Sequence, residues 1–399
     1  MEMQPPQETS ERFRQKCGFY FSRIRNAPPE KPYLVIVDVT HKCNLQCKMC
    51  DIYKDLDLYN AGKELATGDI LAIIDQCVEW GVNQLVLSGG EAFLRSDIFQ
   101  IIEYVARKGF HLGVITNATL LTESVLQRIL PFLTNRNLSL TISVDGSNAR
   151  THDEIRGVPG SFDRTMRVLR RLAELKEAHQ IRVGVISVVM DPNLEELADI
   201  AQMLKALKVD DLRFQALVHN NLRIAQRFKG DYWVKESRQQ ALTQALARLS
   251  KFKLKNPDLL MNHLPDLALM RDYFSGTLKP KDVKCYFGFR TMLIANDGRL
   301  TTCYADYGSV REKTLKECWH SLEAERARQK VKDCPNPCLL ACFTDYELDN
   351  LPFLCETFLD SVQKQEYPAE EELTILNSAV TVLEGYEKEL TQTGGSHAV

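Results

Sequence analysis

Residues 33–50 read YLVIVDVTHKCNLQCKMC. The first seven, YLVIVDV (33–39), form an apolar run rich in β-branched residues, the pattern of a strand enclosed on both faces. Three cysteines follow at once as C-x3-C-x2-C: Cys43, Cys47 and Cys50. They occupy the loop at the strand's C-terminal end. Three thiolates on a short loop can bind three irons of a cubane cluster and leave the fourth iron open to a substrate or cofactor. A structural zinc ion is the rival, with His41 as the fourth ligand.

Downstream, strand and helix signals alternate. The stretch 67–80 reads as a helix that Thr67 can cap, with Ile70, Ile73, Ile74, Cys77 and Val78 on one face and Gly81 at its end. QLVLS (84–88), HLGVIT (111–116), LSLTISV (138–144), RVGVISVVM (182–190) and DLRFQALV (211–218) read as strands. The stretches 97–108, 122–132, 161–177 and 193–207 read as the other helices. Six apolar strands separated by helices predict an α/β fold with a parallel sheet. Six units fall short of the closed eight-stranded barrel, so a partial (β/α)6 TIM-like barrel is expected, with functional groups at the C-terminal strand ends.

The expected organisation is a polar N-terminal extension over 1–30, the barrel over 31–220, a polar helical bridge over 221–284, a small α+β cysteine domain over 285–345 and a helical segment over 346–399. In the last segment Leu373, Leu376, Val380 and Leu383 make an amphipathic stripe over 368–390. The formal net charge of −3 presents no basic field for nucleic acid. No run of eighteen apolar residues proposes a membrane span, and the N-terminus lacks a signal-peptide core, so a cytoplasmic protein is expected. In that reducing setting twelve cysteines point to metal ligation, and they cluster at both ends of the chain.

In the C-terminal cluster Cys285 and Cys303 are joined as C-x12-G-x4-C around the turn signal NDG (296–298), which predicts a hairpin with the two cysteines near its opposite ends. Cys334, Cys338 and Cys342 follow in DCPNPCLLACF (333–343). Four thiolates here suit zinc as well as iron and sulfide. Cys77 and Cys318 read as core residues, while Cys17 and Cys355 belong to no motif.

Other strand ends carry polar groups. LSGGEAFL (87–94) places Gly89, Gly90 and Glu91 after the second strand, and TNATLL (116–121) places Asn117 after the third. SVDGSNARTHDEIRG (143–157) places Ser143 and Asp145 after the fourth, with Arg156 on the following loop. Leu217 and His219 reach the rim after the sixth. Asp306 and Asp345 lie near the C-terminal cysteines as candidate proton acceptors.

C-x3-C-x2-C after the first strand of a partial barrel, followed by Gly-Gly-Glu after the second, resembles the radical S-adenosylmethionine (SAM) superfamily. The resemblance implies a [4Fe–4S] cluster on Cys43, Cys47 and Cys50 whose open iron chelates SAM. One-electron cleavage of SAM then gives a 5′-deoxyadenosyl radical that takes a hydrogen atom from a substrate. Met49 and Leu217 would lie by the adenine. Gly89, Gly90 and Glu91 would hold the methionine amino group, Asn117 a ribose hydroxyl, and Ser143 with Arg156 the carboxylate. The strand-five Gly-x-Ile-x-Gly pattern is incomplete, with Val188 after Gly184 and Ile186.

The hairpin cysteines, Gly298 and the Trp319 helix resemble the SPASM and twitch domains of that superfamily, which implies at least one auxiliary [4Fe–4S] cluster. Cys285 and Cys303 would be ligands, completed by two of Cys334, Cys338 and Cys342, with Cys355 a further candidate. A flavodoxin or ferredoxin would supply the electron. The substrate would be a peptide or small molecule undergoing oxidation or bond formation. The short stretch before the first strand disfavours a peptide-binding domain there.

Overall fold

A computed structural model describes residues 6–50, 64–218, 232–340 and 344. Residues 31–344 form one compact unit, and residues 1–30 with 345–399 a second. The described element of the second unit is helix α1 (Pro6–Arg25). It corrects the expectation of a polar extension: Phe13, Cys17 and Phe21 recur every four residues and are all buried.

In the larger unit β1 (Leu34–Thr40), β2 (Gln84–Gly89), β3 (Leu112–Thr116), β4 (Leu138–Ser143), β5 (Val183–Val189) and β6 (Asp211–Ala216) lie side by side in chain order, each parallel to the next. The crossovers are α2 (Thr67–Trp80), α3 (Ile98–Arg107), α4 (Glu123–Thr134), the pair α5 (Ala149–Arg156) and α6 (Ser161–Ala178), and α7 (Leu197–Ala206). This is the expected partial barrel. Ile70, Ile73, Ile74 and Cys77 of α2 share one core with Val35, Val37 and Val39 of β1. Each such aliphatic side chain contributes roughly 1.5–3 kcal/mol by leaving water.

The strands are enclosed less evenly than their apolar runs predict. Along β3, β4 and β5 buried and half-buried residues alternate strictly, so one face packs under the helices. The other face carries Gly113, Ser139, Thr141 and Ser143 and lines a partly open lumen.

Three local readings are corrected. Thr67 is the first residue of α2, not its cap. Its hydroxyl donates to Asp97 Oδ2 (2.5 Å), and Asp69 accepts the Ala66 N–H that opens the helix (2.9 Å). Arg156 is the last residue of α5 and not on a loop. The helix expected over 193–207 begins as a 3₁₀ turn, Asp191–Glu196, before α7.

The bridge is helical where it is described, with α8 (Gln239–Lys255) and α9 (Leu264–Phe274). The strand β7 (Thr291–Ile294) then pairs parallel to β1, from Leu34↔Thr291 to Val37↔Ile294. Two antiparallel partners follow, β8 (Arg299–Thr301) and β9 (Asp306–Ser309). The hairpin therefore extends the barrel sheet. Gly298 makes its turn at φ +90°, a conformation that glycine adopts readily.

Behind the hairpin lie α10 (Leu315–Trp319) and α11 (Leu322–Lys332). Arg328 of α11 is 1% exposed; its Nε donates to the Gly288 carbonyl (2.7 Å) and its Nη2 to the Trp319 carbonyl. Its guanidinium also stands 5.0 Å from the Trp319 ring centroid. Burial lowers its pKa to about 10. Arg328→Ala would leave both carbonyls without that donor and empty the contact on Trp319. We expect a loss of about 3 kcal/mol in urea unfolding. Arg328→Lys should recover only part of it, because an ammonium lacks the planar fork.

Candidate functional site

The cysteine loop leaves β1 and is held from two sides. On one side the Gly90 N–H donates to the Thr40 carbonyl (2.7 Å) and the Glu91 N–H to the Lys42 carbonyl (2.8 Å). A Cβ on Gly90 would stand 2.1 Å from Lys42 O, and one on Gly89, at φ +113°, 2.3 Å from Thr40 O. These glycines hold the loop by direct backbone approach. On the other side the Gln46 and Lys48 N–H groups donate to the Arg156 and Ile155 carbonyls (3.1 and 2.8 Å), the free C-terminal acceptors of α5. Gly157, at φ +71°, passes so close that a Cβ would stand 2.2 Å from Gln46 O.

Cys43 and Cys50 are half-buried, Cys47 is buried, and none is in a disulfide. Burial raises the Cys43 pKa, and the charges of Cys47 and Glu91 add to the rise; the Leu45 N–H and Arg156 oppose it. Three thiols on one clamped loop supply the donor chemistry of a three-cysteine iron–sulfur site, and among the described residues they are not drawn together into a preformed metal-holding group. Met49 packs against the main core beside them. His41, the candidate fourth zinc ligand, is buried at 4% exposure.

Glu91 is 1% exposed and accepts from the Phe93 N–H (3.1 Å), the Thr116 hydroxyl (2.8 Å) and the Asn117 N–H (2.8 Å). Burial nevertheless raises its pKa. A carboxylate has about four acceptor positions, so one remains. Asn117 does not present its amide to a ligand. Its Nδ2 donates to Asn44 Oδ1 (2.9 Å), and its Oδ1 accepts from the Thr119 N–H and hydroxyl (2.9 and 2.6 Å). It is a tie on the cysteine loop. Arg156 is also committed: Nη2 pairs with Asp145 Oδ2 (2.7 Å), and Nη1 stands 3.6 Å from Cys47 Sγ. Burial alone would lower its pKa; the charges of Asp145 and Cys47 outweigh it and hold the guanidinium protonated. Ser143 ends β4 on the half-buried face. Leu217 is packed in the main core at 4% exposure and not presented at the rim.

Three partners escaped the sequence reading. His152 Nδ1 accepts the Asp145 N–H (3.3 Å). Asp153 accepts from the Gly160 and Phe162 N–H groups and the Ser161 hydroxyl (2.6, 2.7 and 2.7 Å), fixing the start of α6. Asn44 joins the loop to Thr119 (2.8 Å). The spacing of His152, Asp153 and Arg156 within the quoted HDEIRG carried a signal, since all three lie within about one turn and a half of helix.

The second group of cysteines sits at the other end of β1. Cys285 and Cys303 are together at the hairpin's open end, correcting the expectation of opposite ends: β7 begins where β8 finishes, with Leu293 opposite Thr301. Both pack against Ile36, Phe287, Leu293 and Val331. Tyr304 O–H meets Cys334 Sγ at 2.7 Å, and the charges of Cys334 and Cys303 help to raise the phenol's pKa, after burial. Cys338 is half-buried, and burial pushes its thiol up to about 11. Shared apolar packing and Tyr304 place these four cysteines in one region, and among the described residues they do not form a preassembled metal-holding group. Asp306 pairs with Arg299 and is no uncommitted base. Cys342, Cys355, Asp345, His219 and the stripe over 368–390 lie outside the described residues. Cys77 and Cys318 are buried core residues as expected. No helix among the described residues is long and apolar enough to cross a membrane.

Residues 37–204 match the family model of the radical SAM superfamily, and residues 285–343 that of the SPASM iron–sulfur cluster-binding domain. An AdoMet-dependent heme synthase of Methanosarcina barkeri is 26% identical over 326 residues, 77% of this chain and 87% of that protein. A PqqA peptide cyclase of Rhodopseudomonas palustris is 26% identical over 338 residues, 82% of this chain and 83% of that protein. Streptococcus suis SuiB, solved with its precursor peptide SuiA, shares the fold at TM-score 0.58 and 15% identity over 76% of this chain and 68% of that one. These likenesses favour an enzyme over a zinc-stabilised binding protein, and its cofactors are SAM, the [4Fe–4S] cluster that binds it and at least one auxiliary cluster. With the barrel, the clamped three-cysteine loop and the hairpin cysteines accounted for, the chain belongs to the radical SAM superfamily and carries a SPASM iron–sulfur domain.

Proposed function

We propose that Cys43, Cys47 and Cys50 hold the SAM-binding cluster, that Cys285, Cys303, Cys334 and Cys338 hold an auxiliary one, and that a peptide substrate is modified in the lumen between them. The observation that carries this is the placement of the two cysteine groups at opposite ends of β1. Its six steps span about 20 Å. Ile36, on the lumen side, packs with Cys285 and Cys303, while the loop of Cys43 follows Thr40 at the other end. The bound cofactors supply one-electron cleavage of SAM and a radical able to abstract hydrogen.

The chain's own groups bind and orient. The remaining acceptor position of Glu91 suits an ammonium, which would keep the buried carboxylate ionised. Ser143 supplies a hydroxyl, and Met49 an apolar surface for a purine. Ser139 and Thr141 line the lumen with groups that can hydrogen-bond a peptide backbone. The peptide assignment leans on the PqqA peptide cyclase and on SuiB with its precursor peptide. A cytoplasmic setting, with a flavodoxin or ferredoxin as reductant, suits this chemistry.

The test is iron and sulfide content after anaerobic reconstitution, beside a Cys43→Ala/Cys47→Ala/Cys50→Ala variant. The expected result is about eight irons per chain, falling to about four in the variant. About twelve would assign two clusters to the C-terminal cysteines. Zinc without iron would remove the proposal.

A further inference from the structure

We propose that Arg156 and Asp145 are a positioning pair that sets the reduction potential of the cluster on Cys47. The inference rests on the reading that Cys43, Cys47 and Cys50 hold the SAM-binding cluster. Both side chains are withdrawn from water, Asp145 at 0% and Arg156 at 8% exposure. Arg156 reaches Cys47 Sγ with Nη1 (3.6 Å) and Asp145 Oδ2 with Nη2 (2.7 Å), so one planar cation bridges a sulfur ligand and a carboxylate.

Neither partner is free to turn away. Asp145 Oδ1 accepts the Val188 N–H (2.7 Å), its N–H donates to His152 (3.3 Å), and its carbonyl accepts from Asn193 Nδ2 (2.9 Å). Arg156 is tied through its own carbonyl to the Gln46 N–H on the cysteine loop (3.1 Å).

Cluster potentials follow net charge and hydrogen bonds to the sulfurs. A buried cation donating to a ligand sulfur stabilises the added electron and raises the potential. A carboxylate on the far side of that cation cancels part of its field. In a low-dielectric site both effects are strong. The two residues must therefore act in opposite directions although they form one ion pair.

That opposition is the test. The reduced cluster's EPR signal is followed in an anaerobic redox titration without SAM, and is assigned by its absence from the triple-cysteine variant. Arg156→Gln should move the potential negative and Asp145→Asn should move it positive. Each shift should match roughly a tenfold change in the reduction equilibrium, about 59 mV for one electron. Asn keeps an oxygen for the Val188 N–H, and iron content should stay near wild type. Arg156→Lys should fall between wild type and Arg156→Gln. Should Asp145→Asn fail to hold a cluster, that ordering of the three Arg156 forms decides alone. Shifts of one sign, unmoved potentials or loss of iron in every variant would reduce the pair to a structural clamp and overturn the inference. A wild type with no N-terminal cluster would instead overturn the cluster assignment beneath it.

Discussion

Gly90→Ala is expected to strip the N-terminal cluster, leaving about four irons per reconstituted chain where the wild type holds about eight. The single added methyl group would stand 2.1 Å from the Lys42 carbonyl oxygen, 2.7 Å from its carbon and 2.9 Å from the carbonyl carbon of His41. All three are backbone atoms, so no side chain can swing aside. The strand end and the cysteine loop would have to part, breaking the Gly90–Thr40 and Glu91–Lys42 hydrogen bonds. Overpacking of this kind costs roughly 1–3 kcal/mol, occasionally more. Here it falls on the residue next to Cys43. Gly68→Ala is the control, because Gly68 lies in α2 with nothing within 4 Å of its added Cβ. It should keep its iron and match or slightly exceed wild-type stability. Full iron and an unchanged response to SAM in Gly90→Ala would refute the clamp.

The barrel was legible because its signals are local. Each strand is a stretch of five to seven residues with apolar side chains in succession or in alternation, and the first delivers its cysteines in a spacing that states their chemistry. The second cysteine group was legible from the NDG turn and its flanking thiols. What stayed hidden is partner choice between distant segments. Asn117 has the chemistry to bind a ribose, yet its amide goes to Asn44, 73 residues away, and no local pattern encodes that. The pairing of β7 with β1 joins residues some 250 apart, where the sequence shows only two separate apolar runs.

Helix α5 was missed for a different reason. Its buried residues are Thr151, His152, Ile155 and Arg156, so its inward face is mostly polar and apolar periodicity cannot reveal it. Helix α1 shows the converse error. Its stripe of Phe13, Cys17 and Phe21 was present, but the charged residues between hid it from a reading by composition.

His152 should make the fold acid-labile. Its side chain is 1% exposed, packs edge-on against Phe162 (5.6 Å between centroids) and uses Nδ1 to accept the Asp145 N–H. Burial first, and then the nearby Arg156 charge, lower its pKa from 6.5 to about 3. The unfolded chain takes up this proton near pH 6.5 and the folded chain does not. Its contribution is therefore complete above that pH and is lost as the pH falls toward 3. Each pKa unit is worth about 1.4 kcal/mol, so about 2 kcal/mol should be gone by pH 5 relative to neutral pH. Protonation would also turn the Nδ1 acceptor into a donor facing another N–H, at the root of the helix that clamps the cysteine loop. His152→Asn offers an oxygen in place of Nδ1 and does not titrate. Urea midpoints at pH 7.5 and 5.0 under anaerobic conditions should fall less in the variant, by about that 2 kcal/mol, although its neutral-pH stability is lower for the lost ring. Equal pH slopes in the two proteins would mean that His152 already carries a proton in the folded chain, and the buried neutral imidazole would have to be abandoned.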